Sequence, residues 1–180
     1  MNVTTTFNNN IIPDQFGMNT DTQNLTNGIN QHSFPFNISN LGSETHYLAW
    51  TLIDYDTIPL IGFAWIHWQL ANYPVTYDEV QIEADLSLKV DYPQGKNSLI
   101  SIIQRIRKPL WKLKSTHENL ESHYQGPRPR SGIHHYRLTV YGLRHPLVIQ
   151  KGFYQSDLMN QLDTSVVTES VSKNLLYERK

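Results

Sequence analysis

Residues 133–143 read Ile-His-His-Tyr-Arg-Leu-Thr-Val-Tyr-Gly-Leu, the stretch that most constrains how this chain folds. In an extended chain neighbouring side chains point to opposite faces, so His134, Tyr136, Leu138 and Val140 share one face and His135, Arg137 and Thr139 the other. The first set is apolar apart from its imidazole, and the second is polar. That predicts a half-buried β-strand with His134 and Tyr136 turned to the core and His135 to solvent. Just before it, Pro127 and Pro129 pin φ and remove backbone donors, while Gly126 and Gly132 permit turns that a Cβ would forbid. A rigid loop therefore feeds the strand and fixes an imidazole at the mouth of a β-structure.

Two earlier stretches alternate in the same way. Residues 47–53 place Leu48, Trp50 and Leu52 on one face and Tyr47, Ala49 and Thr51 on the other; residues 63–71 place Trp65, His67 and Gln69 opposite Ala64, Ile66, Trp68 and Leu70. Residues 1–32, rich in Asn, Thr and Gln, predict irregular coil or short edge strands wrapped on the surface. Near the other end, Ser156 reads as the cap of a helix carrying Leu158, Leu162, Val166, Val167 and Val171 and ending near Asn174. Many short strands with few helices predict a mainly β fold with peripheral helices, and 180 residues at 39% hydrophobic suffice for one domain spanning 1–180.

Composition removes several function classes. A formal net charge of -1 gives no global attraction to nucleic acid. With no cysteine there is no disulfide framework, thiolate catalysis or Cys-bound metal, and nothing in the sequence calls for a cofactor. The first residues are Thr/Asn-rich rather than basic then apolar, and no apolar run could span a bilayer, so a cytoplasmic location is expected.

The chemistry-bearing residues form three clusters. Asp54 and Asp56 continue the phase of Leu48, Trp50 and Leu52, so two carboxylates extend an apolar stripe and need partners, because an unpaired buried charge is costly. His67, beside Trp65, and His134 are the candidate partners. Taken singly, each has an ordinary structural reading. Asp-x-Asp before a proline makes a turn by bonding backbone amides, a strand histidine is commonly a satisfied core residue, and Trp65 and Trp68 read as core.

As a set, Asp-x-Asp-x-x-Pro from Asp54, Gly-Phe-Ala-Trp-Ile-His-Trp from Gly62 and Gly-Pro-Arg-Pro-x-x-Gly-Ile-His-His-Tyr from Gly126 resemble the phosphatidylethanolamine-binding protein family, which includes Raf kinase inhibitor protein. The likeness runs from Ser33 to Tyr177. It implies a large antiparallel sheet packed on a smaller one, helices near the C-terminus, and a small pocket for phosphate, acetate or a phospholipid head group. Carried over by position, the ligand-binding residues are Asp54, Trp65, His67, Gly126, Pro127, His134 and Tyr136, with Asp56 and Arg128 beside them. This sequence departs from the family pattern in having Tyr55 in place of the first proline, with Pro59 one residue late. Arg128 stands where many members have proline, His135 replaces an arginine, and residues 100–121 look inserted.

The reading that follows is a non-catalytic module for a small anionic ligand, regulating a protein partner such as a kinase or protease. In it the two imidazoles donate to phosphate oxygens, and Asp54 orients one of them and favours its charged form. The alternative is a phosphoester hydrolase using the same pocket, with His and Asp either as an acid-base pair or as ligands of a divalent metal. Residues 99–115, amphipathic and basic around Trp111, read as a helix packed on its own domain in preference to a peripheral membrane contact.

Overall fold

The alternating stretches become the centre of one antiparallel sheet. In the computed structural model, which describes residues 1–101, 120–163 and 166–180, β5 (Tyr47–Asp54), β6 (Trp65–Pro74), β8 (Ile133–Leu143) and β9 (Val167–Glu178) form a four-stranded sheet in the order β6-β5-β8-β9. A three-stranded sheet of β1 (Asn2–Thr5), β4 (Phe36–Ser39) and β7 (Val80–Ile82) is ordered β1-β4-β7, and β2 (Leu25–Thr26) pairs with β3 (Ile29–Asn30) in a small hairpin. All these pairings are antiparallel. Among the described residues the α-helices are short: α1 (Ile58–Ile61), α2 (Leu86–Lys89) and α3 (Gln155–Gln161). None is long and apolar enough to cross a membrane.

The two larger sheets enclose the main core. Phe36 and Ile38 of β4 and Val80 and Ile82 of β7 meet Leu48, Trp50 and Leu52 of β5, Trp68 and Leu70 of β6 and Leu138 and Val140 of β8. Trp50 and Trp68 stand edge to face with centroids 5.2 Å apart, and Phe36 reaches across to Trp50 at 5.7 Å, an arrangement their ring quadrupoles favour. The other face of the large sheet is covered as well, because Ala49, Ala71 and Leu143 pack with Leu147, Phe153 and Leu158 of α3. Both faces of β5 are therefore dry, which is why its alternation is apolar on either side.

Strand β8 has the predicted limits and alternation: His134, Tyr136, Leu138 and Val140 are buried, and His135 and Arg137 are exposed. Strand β6 begins two residues later than predicted and continues to Pro74.

Two further expectations are corrected. The helix predicted to run from Ser156 to Asn174 ends at Gln161, Tyr154 occupies its N-cap position, and its later residues form β9. The spacing of Leu158, Leu162, Val166, Val167 and Val171 imitates a helix, but β-branched Val and Thr with Ser disfavour one, and β9 is instead extended and pairs with β8 from Ile133↔Glu178 to Leu143↔Val167, skipping Thr168. Residues 1–32 are not merely a surface wrapping: Ile12, Phe16, Ile29 and Asn30 are buried, and Asn30 donates to the carbonyls of Gln15 and Gly17. An Asn-rich segment hides such anchors because its composition resembles a loop throughout. The predicted basic helix lies largely outside the described residues; Ser98–Ile100 before it form a 3-10 turn.

Candidate ligand-binding site

At the end of β5, Asp54 stands in register with Trp65 of β6 on one side and Tyr136 of β8 on the other. His134 lies two residues beyond Tyr136 on the same face, and its Nδ1 is 2.7 Å from Asp54 Oδ2. Both groups are buried. A carboxylate accepts, so His134 donates from Nδ1, and the other Asp54 oxygen, Oδ1, accepts the backbone N–H of Asp56 at 2.8 Å. The turn reading and the partner reading of Asp54 thus hold together: one oxygen shapes the turn and the other holds the imidazole.

The turn is tied down further by Thr57, whose hydroxyl oxygen lies 2.9 Å from the carbonyls of Asp54 and Phe63 and accepts the N–H of Trp65. Asp56 faces solvent with His135. Its Oδ2 accepts from both the backbone N–H and the Nδ1 of His135, each at 2.8 Å. Partial burial acts to raise the Asp56 carboxyl, but the two bonds from His135 outweigh it and hold the group below its ordinary range.

Trp65 and His67 share a face by alternation, and the pairing of Trp65 with Asp54 turns that face toward the site. Leu52 pairs with Trp68 and Ile53 with Ile66, so His67 is the extra residue of a bulge. Strict alternation would put Trp65 and Trp68 on opposite faces. With the bulge, Trp65 lies opposite Asp54, Trp68 enters the main core, and the His67 ring meets Tyr136 edge to face at 5.0 Å.

The loop before β8 supplies a residue that sequence reasoning passed over. Gln125 donates its N–H to the His67 carbonyl at 2.8 Å, accepts from His67 Nδ1 at 2.7 Å through its own carbonyl, and accepts from Trp65 Nε1 at 2.9 Å through its side chain. A glutamine inside a Gly/Pro loop carries no distinguishing sequence signal. The loop is pressed against the N-terminal segment. A Cβ on Gly126 would lie 2.6 Å from the Phe16 carbonyl oxygen and 3.0 Å from Asn30 Cβ, the Gly126 N–H bonds the Asn30 carbonyl, and the Pro127 carbonyl accepts the N–H of Met18. Gly126 and Pro127 are buried supports, whereas Arg128 is exposed and contacts the Gly28 carbonyl.

Two electrostatic facts describe the cluster. Burial pushes the His67 imidazole below its ordinary value; the Asp54 charge and the bond to Gln125 oppose this without cancelling it, and His134 adds to the depression. His67 is therefore held neutral near pH 7. Burial, with the nearby Asp54 charge, pushes the Tyr136 phenol far up, so it keeps its proton, and its buried hydroxyl has no hydrogen-bond partner among the described residues. Asp54, each of whose oxygens accepts one hydrogen bond, serves as an orienting group here. No cluster of three or more metal-ligating side chains occurs among the described residues.

The model of the family described as phosphatidylethanolamine-binding protein matches residues 2–176. The chain belongs to this family. YxkA of Bacillus subtilis (strain 168), itself uncharacterized, is 36% identical to it over 138 residues, 77% of either chain. Two solved structures share the fold. Escherichia coli YbcL, described as a member of the mammalian phosphatidylethanolamine-binding protein family, has a TM-score of 0.69 at 17% identity, covering 99% of this chain and 98% of its own. A Chlamydia trachomatis homologue of the family has a TM-score of 0.68 at 20% identity, covering 94% and 90%. The mainly β architecture is thus that of the family.

Proposed function

We propose that Asp54, Trp65, His67, His134 and Tyr136 bind a small phosphate-type anion, and that the protein is a non-catalytic ligand-binding module. One observation carries this reading. Each imidazole has its Nδ1 committed to the protein, His67 to a carbonyl and His134 to a carboxylate, while neither Nε2 has a hydrogen-bond partner among the described residues. Beside them is the buried Tyr136 hydroxyl, also unpartnered. Buried polar groups are ordinarily satisfied, so the buried, unpartnered Tyr136 hydroxyl beside two uncommitted ring nitrogens marks a place for a polar ligand. Trp65, stacked on Phe63 at 6.1 Å and half-buried, supplies an apolar wall.

Titration of inorganic phosphate and O-phosphorylethanolamine, followed by NMR, tests the proposal. The imidazole resonances of His67 and His134 are expected to shift at saturation, and His134→Ala to weaken binding. Shifts unaffected by that substitution would remove His134 from the site. Turnover of p-nitrophenyl phosphate that disappears in His134→Ala would replace the binding reading by the hydrolase one. Regulation of a kinase or protease belongs to the same proposal, and a partner captured only with phosphate present would support it.

A further inference from the structure

We propose that the turn between β5 and β6, from Ile58 to Phe63, is a docking tip that seats itself in the hydrocarbon boundary of a lipid bilayer. The inference stands apart from the ligand-site reading, because it concerns acyl chains and not an anion. Residues 58–64 read Ile-Pro-Leu-Ile-Gly-Phe-Ala and hold no polar side chain. Such a run would ordinarily fold under, yet Ile58 is 45% and Leu60 62% exposed, and Pro59 lies exposed between them. Asp56, through its bonds to His135, ties the same turn to the start of β8, where Ile133 is 54% exposed. Single exposed apolar residues are ordinary, but a consecutive set marks an interaction surface.

The backbone points to the occupant. The N–H of Ile58 bonds the Tyr55 carbonyl at 3.1 Å, those of Leu60 and Ile61 bond the Thr57 carbonyl at 3.0 and 2.9 Å, and that of Gly62 bonds the Ile58 carbonyl at 2.8 Å. Pro59 has no N–H, so none is left over from Ile58 to Gly62. At the base, the Thr57 hydroxyl lies 2.9 Å from the Phe63 carbonyl. A protein interface carries about one hydrogen bond per 100–200 Å², and this tip has neither a side-chain group nor a spare N–H to make one. Hydrocarbon asks for the opposite, donors already satisfied internally. The carbonyls of the last turn keep to interfacial water, because insertion of this kind reaches only about 5–10 Å. Behind the tip, the half-buried rings of Phe63 and Trp65 stack at 6.1 Å, where aromatic side chains suit the membrane–water boundary. Charge agrees with this. Arg128 and Arg130 are exposed on the loop that Gln125 ties to Trp65, Arg137 is exposed opposite Ile53, and Asp56, the acid of the turn itself, is paired with His135. Anionic lipid therefore adds attraction to the apolar term.

Flotation of the full chain with large unilamellar vesicles tests the proposal. The vesicles are phosphatidylcholine alone and phosphatidylcholine with phosphatidylglycerol. Wild type is expected to float with both, and more with the anionic ones at low salt; that difference should close near 1 M salt, where the screening length is about 3 Å. Leu60→Asp should lower partitioning at least about tenfold, whereas Val148→Asp, at a residue 91% exposed elsewhere on the surface, should change it little. Because the chain has no cysteine, Leu60→Cys and Val148→Cys each accept one environment-sensitive fluorophore. On adding vesicles the label at position 60 should shift to the blue and the label at 148 should not, a readout that stands even if Leu60→Asp fails to fold. Saturating inorganic phosphate should leave flotation unchanged. Absence of flotation, equal losses in the two Asp variants, or an unshifted label at position 60 would overturn the proposal. Flotation abolished by phosphate would overturn it in favour of head-group capture at the anion site. A dimer that Leu60→Asp dissociates, without vesicle binding by wild type, would overturn it in favour of contact between copies of the chain.

Discussion

Replacing Gly126 by alanine tests whether the loop before β8 holds the candidate site in place. The added Cβ would stand 2.6 Å from the Phe16 carbonyl oxygen, 3.0 Å from Asn30 Cβ and 3.2 Å from Gly17 Cα. All three obstacles are backbone or backbone-proximal atoms, so no side-chain rotation relieves them, and the Gln125–Gly126 peptide must withdraw. Overpacking of this kind costs about 1–3 kcal/mol. Withdrawal also strains the bond from the Gly126 N–H to Asn30, at 2.8 Å, and the two backbone bonds between Gln125 and His67. Loss of one net hydrogen bond adds about 1 kcal/mol. A destabilisation of about 2–4 kcal/mol is expected, or a Tm lowered by roughly 5–15 °C for a chain of this size. Urea and thermal unfolding would measure it, with Gly42→Ala as the control. At Gly42 a Cβ meets only Glu169 Oε1, at 3.4 Å, and the change should lie within about 0.5 kcal/mol. A Gly126→Ala protein as stable as wild type, with Trp65 fluorescence unaltered, would refute the reasoning.

Three other outcomes are expected. Because burial lowers the folded-state pKa of His67 below the unfolded value of about 6.5, the unfolded chain takes up a proton first on acidification. Stability should therefore fall as pH drops below about 6.5, until the folded pKa is reached; His67→Asn should flatten this slope in urea midpoints, and an unchanged slope would exclude His67 as its source. Asp54→Ala removes the acceptor of both the His134 Nδ1 and the Asp56 N–H, at about 2–4 kcal/mol, whereas Asp54→Asn keeps an acceptor and should cost about half as much; equal costs in denaturant titrations would count against the two-acceptor account. By contrast His135→Ala, at an exposed pair whose backbone bond to Asp56 survives, should cost less than about 1 kcal/mol, and a loss above about 2 kcal/mol would mean that the pair is not the surface contact described.

What the sequence determined by itself is what a period of two can carry. Strand β8 was legible to the residue, with its buried His134 and exposed His135, because alternation is a local property of one extended segment. The placement of Asp54 at the end of β5, in phase with Leu48, Trp50 and Leu52, was legible for the same reason. Tertiary structure decided the rest. Trp65 and Trp68 share a face because β6 bulges against β5, and a bulge is a relation between two strands with no signature in either alone. Gln125 clamps His67 from 58 residues away, a pairing that needs the loop already folded onto the N-terminal segment. Residues 167–178, whose spacing suits a helix, become β9 because β8 offers them a ladder of partners along nearly its whole length. Local pattern thus set which side chains could face inward, and pairing between distant segments set which of them met and which nitrogen of each imidazole carries the hydrogen.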